Sequence, residues 1–266
     1  MATPIPILTA DDQRIEAYRD IRERDLTGRQ GLFVAEGEVV LRLMLKRSRF
    51  ALESVLLSRR RAQASPELVA AIPEDTPLYV AEDVILETIA GFPLHRGILA
   101  IGRKGDAPAM QTLIAGLPER AIVVVAIGIA NHDNMGGIFR NAAAFGVNAL
   151  LLDEESCDPL YRKAIRVSVG ASLAVPFARQ ESGDTIVSLL QEAGFCTLAL
   201  SPSGTLALKD IRREPRMALV LGAEGPGLPE ALMHRMIRIR ISMAGSFDSL
   251  NVATTSGIAL HHFFTT

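Results

Sequence analysis

Three short segments in the second half of the sequence carry residues whose types and spacing could do chemistry. In residues 222–229 (GAEGPGLP) three glycines follow an apolar run. A ligand could approach that backbone closely, and Leu228-Pro229 would open a helix with free amide donors. The order Gly222, Gly225, Gly227 is G-x-x-G-x-G and stands near the end of the sequence. A dinucleotide-binding turn needs G-x-G-x-x-G at a first strand-to-helix junction, so a dinucleotide-dependent oxidoreductase is disfavoured. Glu224 among these glycines would repel a phosphate and suits a cation or a hydroxyl-bearing ligand; a plain structural turn is the alternative. In residues 131–140 (NHDNMGGIFR) two amides stand at a strand end, glycines at a helix N-terminus, and Arg140 one turn into the helix. Surrounded by Ile138, Phe139 and Ala142, that guanidinium is either tied to a carboxylate or placed for a phosphate. His132 and Asp133 have no His, Cys or acidic residue at ligand spacing, so no metal is expected. In residues 247–263 (FDSLNVATTSGIALHHF) Ser249 and Asn251 open an otherwise apolar helix, with Ser249 a natural N-cap. His261 and His262 belong to the exposed end of that helix.

The elements that would position these groups follow from the pattern around them. Residues 121–130 (AIVVVAIGIA) read as a strand buried on both faces, followed by a polar turn and a helix over 137–146 with Gly146 as its C-terminal cap. Residues 149–153 form the next strand, 161–174 one helix, 175–179 a short strand, and 184–193 a helix capped by Asp184 and ended by Gly194. CTLALS, MALVLG and IRIRIS are further strands, with LPEALMHRM between the last two and a final helix from Ser249 onward. This alternation predicts an α/β domain with a parallel sheet covered on both faces. Ligands of such sheets bind outside the carboxyl ends of the strands. The loops leaving those ends are NHDNMGG, SPSG, GAEGPG and MAGSFDS, whereas the opposite connections FGVN and EAGF are short and bland. The functional face therefore carries Asn131, Ser201, Gly222, Glu224 and Ser249.

A chain of 266 residues has room for one large domain or two modest ones. Residues 103–120 mix charges, Gly and Pro as a connector does, which divides the chain into 1–104, a linker at 105–118, and 119–266. The hydrophobic fraction of 48% and charged fraction of 22% exclude a disordered or fibrous chain. A net charge of -2 with pI near 6.2 shows no global affinity for nucleic acid, so any such affinity must come from a local patch. Residues 14–61, with 12 Lys or Arg against 7 Asp or Glu, could supply one. A solvated helix face is the alternative, since Arg14, Arg19, Arg22 and Arg24 alternate with Glu16, Asp20 and Glu23. Cys157 and Cys196 fit no disulfide or zinc spacing and read as two small buried thiols. No signal peptide is visible, and the apolar run 121–130 is short of the ~20 residues that span a bilayer, so a cytoplasmic protein without membrane association is expected.

Taken in order, the three segments resemble the motifs of the SpoU/TrmH family of the SPOUT methyltransferases. N-x-x-N-x-G-x-x-x-R matches Asn131, Asn134, Gly136 and Arg140; L-G-x-E-G-x-G runs from Leu221 to Gly227; I-x-M followed by S-L-N-V matches Ile241, Met243, Ser249, Leu250, Asn251 and Val252. The resemblance covers roughly residues 119–266 and departs at His132-Asp133, where Pro-Gly is common, and at Ser242, where Pro is usual. It implies a parallel sheet whose C-terminal part threads into a deep trefoil knot, which periodicity alone would exclude. Ahead of it, residues 31–45 (GLFVAEGEVVLRLML) look like part of a smaller α/β RNA-binding domain. The resemblance implies transfer of a methyl group from S-adenosylmethionine to an RNA ribose 2′-hydroxyl, without a metal. Ribosomal RNA is preferred as substrate and transfer RNA is the alternative; a homodimer completes the site across its two-fold axis. The donor would lie against Leu200, Gly222, Ile241 and Leu250, and Arg140, Asn134, Glu224, Ser249 and Asn251 would form the catalytic set. Family schemes make the arginine a general base. Because a guanidinium stays protonated, Arg140 is expected instead to hold the target phosphate and stabilise developing alkoxide while the other four order the site. A noncatalytic RNA-binding or ribosome-assembly protein retaining the knot is the rival reading.

Overall fold

The computed structural model describes residues 2–19, 26–90, 97–245 and 249–265. The chain divides into two compact units, Met1–Asp106 with Leu160–Ala174, and Ala107–Pro159 with Val175–Thr266. The first contains β1 (Pro4–Ile7), β2 (Leu32–Glu36), α1 (Glu38–Arg47), β3 (Ala51–Ser58), α2 (Arg59–Ala64), α3 (Pro66–Ala70), β4 (Leu78–Ala81), α4 (Asp83–Ala90) and β5 (Ile98–Arg103). Its five strands are ordered β1-β4-β3-β5-β2; β1, β4 and β3 run parallel, and β5 is antiparallel to β3 and β2. Val55, Leu56 and Leu57 in β3 are fully buried, and α1 turns Val40, Leu41 and Met44 inward as a helical stripe.

Charge in this unit is largely matched locally. Arg14 pairs with Asp12, Arg42 with Glu38 and Glu67, Arg59 with Glu82, Arg60 with Asp83, and Arg61 with Glu38. Each such surface pair is worth about 1 kcal/mol at most. The basic excess over residues 14–61 is thus taken up in good part by the unit's own carboxylates; residues 20–25 of that stretch lie outside the described ones.

The second unit begins with α5 (Met110–Ala115), β6 (Ala121–Ala126), α6 (His132–Ala144) and β7 (Ala149–Asp153). After β7 the chain forms α7 (Arg162–Val167) and α8 (Ala171–Ala174), which count with the first unit. It continues with β8 (Phe177–Glu181), α9 (Gly183–Glu192), β9 (Cys196–Leu200), β10 (Leu206–Ala207), β11 (Arg216–Leu221), α10 (Glu230–Met233), β12 (Ile237–Arg240) and α11 (Val252–Thr265). All seven strands are parallel, in the order β10-β12-β9-β11-β6-β7-β8. Every residue of β6 and β7 is buried, as central strands covered on both faces must be.

The expected parallel sheet is present, with local differences. Met110 and Ile114 are buried in the second unit's core, so residues 110–115 form a helix of that unit rather than a linker. Flanking charges, Gly and Pro disguise this apolar turn in the sequence. Residues 161–174 do not form one helix, because Val169 (φ 54) and Gly170 (φ 83) break it with left-handed backbone. Ser182, not Asp184, caps α9, its hydroxyl accepting from Thr185 N at 3.3 Å. The helix α6 begins at His132, five residues ahead of the expected start at 137, because Asn131 caps it by accepting from Asp133 N at 2.8 Å. Among the described residues no helix is long and apolar enough to cross a membrane.

Candidate functional site

The carboxyl ends of β12, β9 and β11 lie side by side, and a cleft of about 450 Å³ opens there, within the range of ~300–1,000 Å³ typical of small-molecule sites. Leu200, Ile241, Leu250 and Val252 give it apolar walls, and the loop after β11 gives it a backbone wall. That loop is folded back on itself: Gly227 N donates to Ala223 O at 3.1 Å, and Gly225 and Gly227 have φ of 87° and 70°. A Cβ on Gly222 would stand 2.5 Å from Gly227 C and Leu228 N, so no larger residue permits this return. The four residues expected against the donor, Leu200, Gly222, Ile241 and Leu250, all line the cleft, together with Glu224, Ser249 and Asn251.

Asn251 ties the motifs together. Its Oδ1 accepts from Ala253 N (2.9 Å) and Thr254 N (3.2 Å), which makes it, rather than Ser249, the cap of α11. With the oxygen committed, its amide nitrogen must face the other way, donating to Asn134 Oδ1 at 2.8 Å and Glu224 Oε1 at 3.0 Å. Asn134 is 5% exposed, and because its oxygen accepts from Asn251, its own NH2 is the group left for a ligand. Residues 246–248, including the Phe247 and Asp248 of the third segment, lie outside the described ones.

Close packing of α6 on α11 sets this meeting. A Cβ on Gly137 would stand 2.6 Å from that of Ala253, and Asn141 Nδ2 donates to Ala253 O at 2.7 Å and Ser256 Oγ at 2.9 Å. Asn134, Gly137 and Asn141 recur at helical spacing and so share one face. Arg140 is one position off that face: it is exposed and is not among the residues lining the cleft. The fold thus gathers eight of the nine expected site residues within one chain, Asn134 through Asn251, and leaves Arg140 apart. Sequence reasoning missed Asn141, although its spacing of seven from Asn134 was a usable signal, and Thr255, which lines the cleft and donates to Asn251 O at 2.8 Å. Among the described residues no three His, Cys, Asp or Glu side chains group to hold a metal.

Residues 121–261 match the model of the SpoU rRNA Methylase family. The chain belongs to the SpoU rRNA methylase family. Within it, the chain is 38% identical to an uncharacterised tRNA/rRNA methyltransferase of Mycobacterium bovis, over 94% of this chain and 88% of that one. It is 30% identical to the 23S rRNA (guanosine-2′-O-)-methyltransferase RlmB of Salmonella typhi, over 80% of this chain and 88% of that one. The fold is shared with the AdoMet-bound rRNA methyltransferase from Sinorhizobium meliloti (TM-score 0.79, 22% identity, 97% of both chains). It is shared equally with the SpoU methyltransferase AviRb from Streptomyces viridochromogenes, solved with AdoMet (TM-score 0.80, 20% identity, 95% of this chain and 96% of that one).

Proposed function

We propose that this SpoU family member methylates a ribose 2′-hydroxyl of RNA, ribosomal RNA in particular, using S-adenosylmethionine. The observation that carries the reading is the single amide of Asn251 joining Asn134 and Glu224 at the rim of the cleft. The name of the RlmB relative supports the 2′-oxygen and ribosomal RNA, and the AdoMet-bound neighbours support the donor. The cleft suits that donor: Leu200, Ile241 and Leu250 would hold its purine between apolar walls, beside the amide-rich loop that Gly222 keeps folded. When bound, S-adenosylmethionine supplies an electrophilic methyl carbon. The chain's own residues orient the acceptor. The NH2 of Asn134 and the hydroxyl of Ser249 would position the ribose oxygen, and the Glu224 oxygen that Asn251 leaves unengaged would accept from a ribose hydroxyl.

In this reading Arg140 reaches the cleft of a second copy across a two-fold axis, where it holds the target phosphate. An exposed apolar surface on α11, with Ile258 at 41% and Phe264 at 60% exposure, supports such a homodimer. The trefoil knot belongs to the same proposal, supported by a strand order that inserts β11 between β6 and β9. To test the reading, the protein is incubated with methyl-labelled S-adenosylmethionine and total RNA from a strain lacking its gene. Label in alkali-resistant linkages of ribosomal RNA is expected. Alkali-labile labelled RNA would indicate base methylation, label in transfer RNA would move the substrate class, and no label in any RNA would favour the noncatalytic binding protein.

A further inference from the structure

Asp153 ends β7 and is 3% exposed, yet among the described residues no cation pairs with it and it does not line the cleft. A buried carboxylate of this kind persists only where donors are built around it. Here both oxygens accept from Gly128 N at 3.0 Å, and Oδ1 also accepts from Ser156 N at 2.9 Å and Ser156 Oγ at 2.6 Å. Ser156, fully buried, in turn accepts from Ile129 N at 3.0 Å. Three successive amides of the turn between β6 and α6 are therefore held by separate acceptors: Ile127 N by Leu221 O at the end of β11, Gly128 N by Asp153, and Ile129 N by Ser156. Cys157 N closes the arrangement by donating to Ile129 O at 3.0 Å.

That turn sits between the two halves of the site. On one side it leads into Asn131 and Asn134; on the other, a Cβ on Gly128 (φ 67) would lie 3.2 Å from that of Ala223, the neighbour of Glu224. We infer that Asp153, acting through Ser156 and Gly128, is a positioning residue that sets the register of Asn134 against Glu224 and Asn251. It touches no substrate. Asparagine in its place would turn an NH2 toward amide donors or forfeit one accepted bond, and the turn would shift. Reacting groups displaced by about 1 Å can lose about 100-fold in rate while ground-state binding survives.

This inference rests on the methyltransferase reading, and the test separates the two. With Asp153→Asn, single-turnover methylation of total RNA from the gene-deleted strain is measured at saturating S-adenosylmethionine, per donor-binding site titrated. A fall of about 10-fold to 100-fold with donor affinity within about threefold of the parent is expected. Hydrogen exchange should quicken in peptides covering 127–135 and 222–228 and stay unchanged in the first unit. Ser156→Ala should give a weaker form of both effects, and the double variant should be no worse than Asp153→Asn, because both act through one turn. Ser156→Ala also serves if Asp153→Asn fails to fold. An unchanged single-turnover rate, or exchange that quickens only at 127–130 or throughout the second unit, would overturn the positioning role. If the parent itself labels no RNA, the methyltransferase reading fails, and the exchange pattern alone decides the inference.

Discussion

The side-chain amide of Asn251 has no spare atom: its oxygen caps α11 and its nitrogen serves Asn134 and Glu224. These tasks can be separated. Asn251→Ala should cost about 1 kcal/mol of stability through the lost cap and abolish methyl transfer. Asn251→Ser, which can still cap, should recover the thermal midpoint but not the activity; a Ser variant as active as the parent would remove Asn251 from the catalytic set. Gly222→Ala is expected to abolish donor binding, read by calorimetry with S-adenosylmethionine, since its methyl group would collide with the backbone of Gly227 and Leu228. The thiols stand apart from this chemistry. Burial and the nearby Asp158 push the Cys157 thiol up to about 11, and burial chiefly raises that of Cys196. Both stay protonated at neutral pH, so they should react slowly with disulfide reagents at pH 8 and faster only as pH rises further; fast labelling at pH 7 would contradict this.

At the scale of elements, the sequence was most legible where burial was total. The unbroken apolar run of β6 and the largely apolar runs of β7, β9 and β11 announce strands covered on both faces, and the polar loops leaving their ends mark the cleft's side of the sheet. Helix starts were less legible. Asn131, Ser182 and Asn251 cap two to five residues from where the pattern suggests, because several adjacent residues in each segment could cap and only the packed backbone selects one. The split between α7 and α8 was marked only by Gly170, since the valine before it gives no sign of left-handed backbone. Val169 (φ 54) should therefore be a strained position. Val169→Gly is expected to stabilise by about 1 kcal/mol, whereas Val169→Ala should not, because any Cβ meets the same penalty; urea titration of the three proteins distinguishes them.

For the molecule as a whole, the fold brings eight of the nine residues expected at the site together within one chain, and Arg140 illustrates what a single sequence hides. Motifs report that residues act together without reporting that they share one chain. If Arg140 serves a neighbour's cleft, mixing Arg140→Ala with Asn251→Ala subunits should restore about a quarter of parental activity, since half the dimers would be mixed and each would own one intact site. No recovery after subunit exchange, with dimers confirmed by light scattering, would mean that Arg140 serves the cleft of its own chain, and Arg140→Ala protein that is fully active by itself would place Arg140 outside the reaction. The interruption of the second unit at Leu160–Ala174 was hidden for a similar reason, because nothing in that stretch differs in composition from its surroundings.

The place of β11 in the sheet has a consequence for how the protein is made. Strands β6, β7 and β8 emerge from the ribosome well before β11, which must then settle against β6 with β9 on its far side. Until it does, the six-residue, wholly apolar edge of β6 offers open hydrogen-bonding groups to any passing chain. A newborn molecule is thus most prone to aggregate midway through translation of its second unit, and chaperone supply or slowed synthesis should raise the soluble yield.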